Sequence, residues 1–298
     1  MRLVWIRPIQ KDRKMKFDNA LTRMLGVQYP IIQGAFGPNG MGTSAIAVPV
    51  SEAGGLGILT SVTFSSPDEF QEDIRRAKAA TEKPFAVNFT VLKDGPADTA
   101  YHEDHLTIAL DEGVGTIFTS AYDGSVLGRR AKKAGRNWIH KCATLEHAVS
   151  TAKKGVDAIV IVGIEGAGMK NPNQCSTLVN MTVARRLIDV PLIAAGGIGD
   201  ARGFLAALSM GASGIYMGTA FMATREFQIP QGLKDGIVDQ EILDAEYRNK
   251  VLRGERGNHP SLASGVVDSI PTVKEFIDSL VTGAEEIVSE LKQWGMID

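Results

Sequence analysis

Cysteine is scarce in this chain. Cys142 and Cys175 are the only two in 298 residues, too few for a disulfide framework and in keeping with a reducing cytoplasm, where the protein is expected to reside. No apolar run reaches the ~20 residues that a membrane-spanning helix needs. Neither sign of charge is in excess: the formal net charge is −2, which gives no electrostatic reason to expect nucleic acid or an anionic membrane as partner. What is present is ordinary for a globular protein, with 44% hydrophobic and 22% charged residues. A chain of this length makes one large domain or two ordinary ones.

Met1 to Lys14 are basic, with scattered apolar residues (Leu3, Val4, Trp5, Ile6), and lack the long apolar core of a signal peptide. They read as a loosely ordered extension, or as residues upstream of a second start at Met15. From there, short apolar runs recur at even spacing: Tyr29–Ala35, Leu56–Ser61, Phe85–Val91, Thr116–Ala121, Asn137–Ala143, Ala158–Gly163, Pro191–Gly197 and Gly214–Thr219. Their Ile, Val, Leu and Phe content without strict alternation is that of strands buried on both faces.

Segments of helical period lie between them. Pro67–Thr81 has Ser66 as its cap, Thr144–Gly155 starts on Thr144 and stops on glycine, and Asp200–Gly211 does likewise. Eight strands alternating with helices predict an α/β fold, a closed (β/α)8 TIM barrel. The runner-up is an open doubly wound sheet, whose glycine-rich turn follows its first strand; here the richest turn follows the seventh. The barrel is placed over 15–226, with a short C-terminal helical extension over 227–298 that caps or closes it. Helices are expected at Gln240–Leu252 and Thr272–Trp294, separated by a turn at Gly254–Pro260.

The ends of strands seven and eight carry the first functional signal. Pro191-Leu-Ile-Ala-Ala-Gly-Gly-Ile-Gly-Asp200 and Gly214-Ile-Tyr-Met-Gly-Thr219 both finish in glycine or a small polar residue. Without a Cβ, backbone N–H groups can close on a phosphate, and a following helix N-terminus favours the anion. A sugar phosphate, a nucleotide, pyridoxal phosphate and flavin mononucleotide (FMN) all fit. Lys141, at the end of strand five, keeps the pyridoxal phosphate reading open on chemistry alone.

Seven segments in order narrow the choice: Tyr29-Pro-Ile-Ile-Gln-Gly-Ala35, Ala53-Gly-Gly-Leu-Gly57, Pro84-Phe-Ala-Val-Asn-Phe89, Ile139-His-Lys-Cys142, Gly163-Ile-Glu-Gly-Ala-Gly168, Ala194-Ala-Gly-Gly-Ile-Gly-Asp200 and Met217-Gly-Thr219. With them the chain resembles the nitronate monooxygenase (2-nitropropane dioxygenase) family, which includes FMN-dependent enoyl-acyl-carrier-protein reductases and NADH:quinone reductases. The resemblance runs from Leu21 to Glu226 and resumes at Ala263–Val288. It implies FMN as cofactor, with Gly34, Ala35 and Phe36 under the flavin ring, Asn88 closing strand three and hydrogen-bonded to the ring, and Lys141 near the pyrimidine end. Ala167 and Gly168 would lie against the cofactor, and Gly196, Gly197, Gly218 and Thr219 would hold its phosphate.

One position departs from the family. Its loop after strand six carries a histidine that handles the substrate's proton or charge, and here the stretch reads Glu165-Gly-Ala-Gly-Met169. Met169 has no titratable proton, and acid–base help at such a position contributes typically ~10²–10⁴ in rate. Any nitro chemistry is therefore expected to favour alkyl nitronates over nitroalkanes, unless Lys170, His102 or a water substitutes. The segment from Gln228 to Ala263 also reads as shorter than the family's, which fits a more open pocket, a different substrate or a wall supplied by a partner chain, with Asn171–Asn180 filling part of the gap.

His140 is expected to face the helices rather than the site, and Cys175 to be an ordinary loop cysteine. His102 and His105 are expected on a solvated loop or helix face.

The leading expectation is an FMN-dependent oxidoreductase that oxidises a small carbanionic substrate, an alkyl nitronate, with O2 as acceptor. The first alternative is an NAD(P)H-dependent reductase of a quinone or enoyl thioester; the second is a flavin-binding barrel without turnover. A small-molecule substrate is the expected partner, with NAD(P)H and a homo-oligomer left open, and with no metal, nucleic acid or membrane.

Overall fold

A computed structural model describes residues 15–37, 40–93, 101–168, 171, 173–253 and 260–297. Eight parallel strands form the sheet: β1 (Ile31–Gln33), β2 (Gly57–Thr60), β3 (Phe85–Val91), β4 (Thr116–Ala121), β5 (Asn137–Cys142), β6 (Ala158–Val162), β7 (Leu192–Ala195) and β8 (Gly214–Met217). The helices among the described residues are α1 (Ala20–Leu25), α2 (Ser44–Glu52), α3 (Pro67–Ala80), α4 (His102–Asp111), α5 (Ser125–Lys133), α6 (Leu145–Ala152), α7 (Thr177–Leu187), α8 (Ala201–Ser209), α9 (Thr219–Met222), α10 (Gln231–Val238), α11 (Ala245–Arg253) and α12 (Val273–Gln293). The fold is the (β/α)8 barrel that the spacing predicts.

Each strand pairs with its sequence neighbour, and β1 pairs with β8, Ile31 opposite Ile215. The β1–β2 seam holds a single bridge, Ile32 to Leu56. The Gln33 side chain supplements it: its amide oxygen accepts from Ile58 N–H at 2.8 Å and its NH2 donates to Ile58 O at 3.2 Å. A buried side chain thus stands in for ladder bonds where the strands diverge, so that backbone groups in the interior stay paired.

Alternation along each strand divides the core. Ile32, Ala86, Phe118, Ile139, Val160, Ile193 and Tyr216 point inward and fill the barrel. Trp138, Cys142, Ile159, Ile161 and Ile215 point outward under the helices. Helix starts follow the cap residues: Ser66 accepts from Glu69 N–H, Thr144 from His147 N–H and Asp200 from Gly203 N–H. The last helix, α12, packs on α8 and α2 through Phe276, Ile277, Leu280, Val281 and Ala284. Gly283 permits the close approach, since a Cβ there would meet Ala201 Cβ at 2.7 Å.

Two expectations change. The helix expected at Gln240–Leu252 begins at Ala245, because the Asp244 carboxylate accepts from Glu246 N–H and starts it there; α10 precedes it, and residues 254–259 lie outside the described residues. His102 and His105 are not solvated. They are 0% and 2% exposed, on the face of α4 that carries Leu106 and Ala109. His102 Nδ1 lies 3.2 Å from Ser61 Oγ and Nε2 lies 3.1 Å from Thr90 O, while His105 stacks on Tyr101 and packs against Phe70. Both ring nitrogens of His102 are met by these partners, whereas His105 Nδ1 reaches Tyr101 O at 3.3 Å and its Nε2 is buried without a partner, so aromatic packing carries its burial. Met1 to Lys14 fall outside the described residues.

Candidate active site

All eight strands end at one mouth of the barrel, and the residues singled out above divide there into a polar wall and a glycine wall. On the polar wall, inward positions of β3, β4 and β5 bring together Asn88, Thr90, Ser120 and Lys141. Register places Thr90 opposite Ser120, and Ser120 opposite Lys141. Asn88 is 1% exposed and lies mid-strand, not at the strand end as expected. Its Nδ2 donates to Thr90 Oγ1 at 3.0 Å, but Oδ1 has no hydrogen-bond partner. Whichever way the amide is turned, one buried polar atom is left over, an arrangement that costs about 1–3 kcal/mol unless a ligand meets it.

Lys141 is half-buried and has neither a carboxylate nor a hydrogen-bond acceptor in reach among the described residues. Desolvation by the surrounding protein pushes its pKa below the usual lysine value. Close by, Ala121 at the end of β4 has φ 75°, a strained conformation for a residue with a Cβ. Thr90 and Ser120 escaped the sequence reading, although alternation from Asn88 and register from Lys141 would have found them.

The glycine wall comes from β6, β7, β8 and β1. Gly196 and Gly197 have φ 95° and 73°. A Cβ on Gly196 would lie 3.0 Å from both Gly163 O and Gly166 N, and one on Gly197 would lie 3.1 Å from Glu165 Cβ. Gly34 N–H donates to Met217 O at 2.6 Å, and a Cβ there would meet Gly218 Cα at 3.0 Å. Gly218 is different: a Cβ would find only Phe36 Cε1, at 3.9 Å. Space is therefore left over Gly218 that the fold itself does not use.

Neighbouring groups hold this wall in place. Thr177 Oγ1 lies 2.8 Å from Gly196 O and 3.0 Å from Glu165 Oε2. Thr219 Oγ1 accepts from Ser261 N–H at 3.0 Å and from Ser261 Oγ at 2.8 Å, leaving its own proton to donate. The Ser261 contact, from 42 positions away, has no local sequence signal. Ala35 N–H donates to the buried Tyr216 hydroxyl, and Phe36 packs on Phe227 at 4.4 Å. Asp200 caps α8 with its own carboxylate, so that helix N-terminus is taken. Ala167 is half-buried and Gly168 is exposed on the loop after β6, whereas Met169 and Lys170 lie outside the described residues.

His140 lies on the outer face of β5, as alternation requires, and Cys175 is exposed.

Residues 18–259 match the model of the nitronate monooxygenase family. The chain belongs to this family.

Within curated relatives, it is similar to a Mycobacterium tuberculosis protein named (3aS,4S,5R,7aS)-5-hydroxy-7a-methyl-1-oxo-octahydro-1H-indene-4-carboxyl-CoA dehydrogenase, 36% identical over 253 residues, covering 81% of this chain and 68% of the relative. The Rhodococcus jostii protein of the same name is 33% identical over 235 residues, 78% of this chain and 63% of that one, so the chain spans less than two-thirds of its length. In solved structures, FabK from Thermotoga maritima superposes with a TM-score of 0.80 at 27% identity, covering 92% of this chain and 98% of that one. Family membership makes the chain an oxidoreductase of the nitronate monooxygenase family, and no helix among the described residues is long and apolar enough to cross a membrane.

Proposed function

We propose that this chain is an FMN-dependent oxidoreductase that withdraws electrons from a small carbanionic substrate at the barrel mouth, an alkyl nitronate in the first reading, with O2 as final acceptor. The observation that carries the proposal is Lys141, an inward ammonium with no anionic partner among the described residues, on the wall opposite two glycine-ended strands. A desolvated cation without a counter-ion fits a ligand that gains negative charge.

Two further features support FMN in particular. The unpartnered amide oxygen of Asn88 matches a ring with its own donors, and the free space at Gly218, beside the Thr219 hydroxyl, matches a phosphate. Gly34, Ala35 and Phe36 would lie along the ring, Gly196 and Gly197 would complete the phosphate cradle, and Ala167 and Gly168 would flank it. Bound there, FMN would supply the electron acceptor.

The residues of the chain then set what is oxidised. Position 169 is methionine, and His102 is committed to Ser61 and to the carbonyl of Thr90, which removes it as a replacement base. A nitronate already carries its negative charge and needs no base, whereas a neutral nitroalkane does.

A second reading takes a coenzyme A thioester as substrate, with NAD(P)H or substrate as the electron source. The name shared by the relatives at 36% and 33% identity favours it. The same lysine would then hold the negative charge of a thioester enolate.

The visible spectrum of the purified protein, followed by anaerobic mixing with ethylnitronate, nitroethane, NADH, NADPH and an acyl-CoA, tests both. Bleaching by ethylnitronate alone supports the first reading. Bleaching by a nicotinamide or an acyl-CoA supports the second, and bleaching by none leaves a flavin-binding barrel without turnover. A protein that takes up no FMN on reconstitution sinks all three.

A further inference from the structure

Behind Lys141, on the outer face of the same strand, three potential metal ligands converge. His140 and Cys142 are two residues apart on β5 and so share that face; His147 comes from the first turn of α6, which packs on it. One ligand atom from each of the three lies within 4.8 Å of the other two. His140 and Cys142 are 1% and 0% exposed, while His147 is half-buried and leaves a route from solvent.

A second observation concerns the nitrogens of His140. Its Nδ1 lies 2.7 Å from Thr119 Oγ1, a hydroxyl that accepts from Trp138 Nε1 at 2.8 Å. Its Nε2 is buried without any hydrogen-bond partner. One ring nitrogen held by an oxygen and the other left bare is the arrangement of a metal-ligating histidine, whose tautomer and orientation are set from behind. Most buried polar side-chain atoms find a partner, and His105, which also has a bare buried Nε2, belongs to no such three-ligand group among the described residues.

We infer that His140, Cys142 and His147 form a binding site for a thiophilic divalent cation, Zn2+ or an ion of similar chemistry. The two-nitrogen, one-thiolate donor set selects such ions over Mg2+ and Ca2+, which take oxygen ligands. Ligand separations in tetrahedral zinc sites are shorter than the present spread, so small side-chain rotations would close the site. On binding, Cys142 gives its thiol proton to solvent, and no electrons move. The Asp123–Lys154 ion pair, at 2.9 Å, flanks the two histidines and contributes no net charge. A bound ion would tie α6 to the strand that carries Lys141. The site is independent of the flavin reading, because none of its ligands faces the barrel mouth.

Cobalt provides the test, since Co2+ bound to a thiolate gives an intense near-ultraviolet charge-transfer band. The full chain with Cys175→Ser, which removes the exposed thiol, is stripped by chelator and titrated with Co2+, then with Zn2+ in competition. The expected result is one equivalent of Co2+ per chain with the charge-transfer band, displaced by Zn2+. Adding Cys142→Ser should abolish the band, and adding His147→Ala should weaken Zn2+ binding at least ~10-fold. Far-ultraviolet circular dichroism confirms that each variant is folded. His147→Ala, at a half-buried position, keeps the test available if Cys142→Ser does not fold. Absence of the band in the Cys175→Ser protein, its persistence after Cys142→Ser, or unchanged Zn2+ affinity in folded His147→Ala would overturn the inference.

Discussion

Lys141 and Gly218 act on the proposed site in opposite ways, one by a charge without a partner and the other by space without an occupant. Burial depresses the pKa of Lys141, so the folded state binds fewer protons there than the unfolded chain. Stability from this group therefore rises with pH between the depressed value and the ordinary lysine range, and its cost is present in full at lower pH. Lys141→Met should raise the thermal midpoint of flavin-free protein near neutral pH, while lowering turnover by roughly 10²–10³-fold. A lower midpoint would show that the charge is satisfied in the fold, against the role proposed for it. In the active protein, turnover should decline once pH rises high enough to deprotonate Lys141, since only the ammonium can hold the developing charge.

Gly218→Ala separates fold from ligand in another way. The added methyl meets nothing closer than Phe36 Cε1 at 3.9 Å, so the change in stability should stay within ~0.5 kcal/mol. The same methyl fills the space assigned to the phosphate, so the variant should purify without the yellow colour of flavin. Full flavin content, read from visible absorbance, would exclude Gly218 from the cradle. Gly196→Ala is no substitute as a test, because its φ of 95° strains the backbone whether or not a ligand is bound.

For the elements, closure of the barrel depends on the short β1–β2 seam. Gln33→Leu keeps the size of the side chain and deletes both bonds to Ile58, orphaning a buried N–H and a buried C=O. At ~1–3 kcal/mol for each group, the expected loss is roughly 2–6 kcal/mol in chemical denaturation. Amide hydrogen exchange at Ile58 should accelerate first, and unchanged protection there would mean that the seam is held by other contacts.

The strands themselves were legible, because a run such as Ala158-Ile-Val-Ile-Val162 is buried on both faces and carries its signal locally. The caps Ser66, Thr144 and Asp200 were legible for the same reason, since each bonds an N–H within three residues. The helix at Ala245–Arg253 was legible only in part. Its start depends on the Asp244 cap, which competes with the apolar pattern that runs through it. His102 and His105 were misread, because their burial is decided by neighbours that the helix meets only after folding, Ser61 and Thr90 for His102 and the Phe70 ring for His105.

Across the whole molecule, α12 covers the face of α2 and α8 that would otherwise be open. Phe276, Ile277, Leu280 and Val281 bury against them, at roughly 1.5–3 kcal/mol for each side chain. Their sum is comparable to the ~5–15 kcal/mol net stability of a typical domain. A chain ending after Pro271 should accordingly be insoluble or unfolded on expression. A soluble truncated protein with a cooperative thermal transition would show instead that the barrel closes without this helix.

The order of strands, their shared mouth, the glycine ends of β7 and β8 and the family were all readable from the sequence, because each rests on patterns within a few residues. Which polar atoms stay unpaired was not. Asn88 Oδ1, the Lys141 ammonium and His140 Nε2 differ from the satisfied groups around them only through neighbours on other strands and helices. Hydrogen bonding and desolvation depend on distances in space, so tertiary structure alone decided where this protein has capacity left for a ligand.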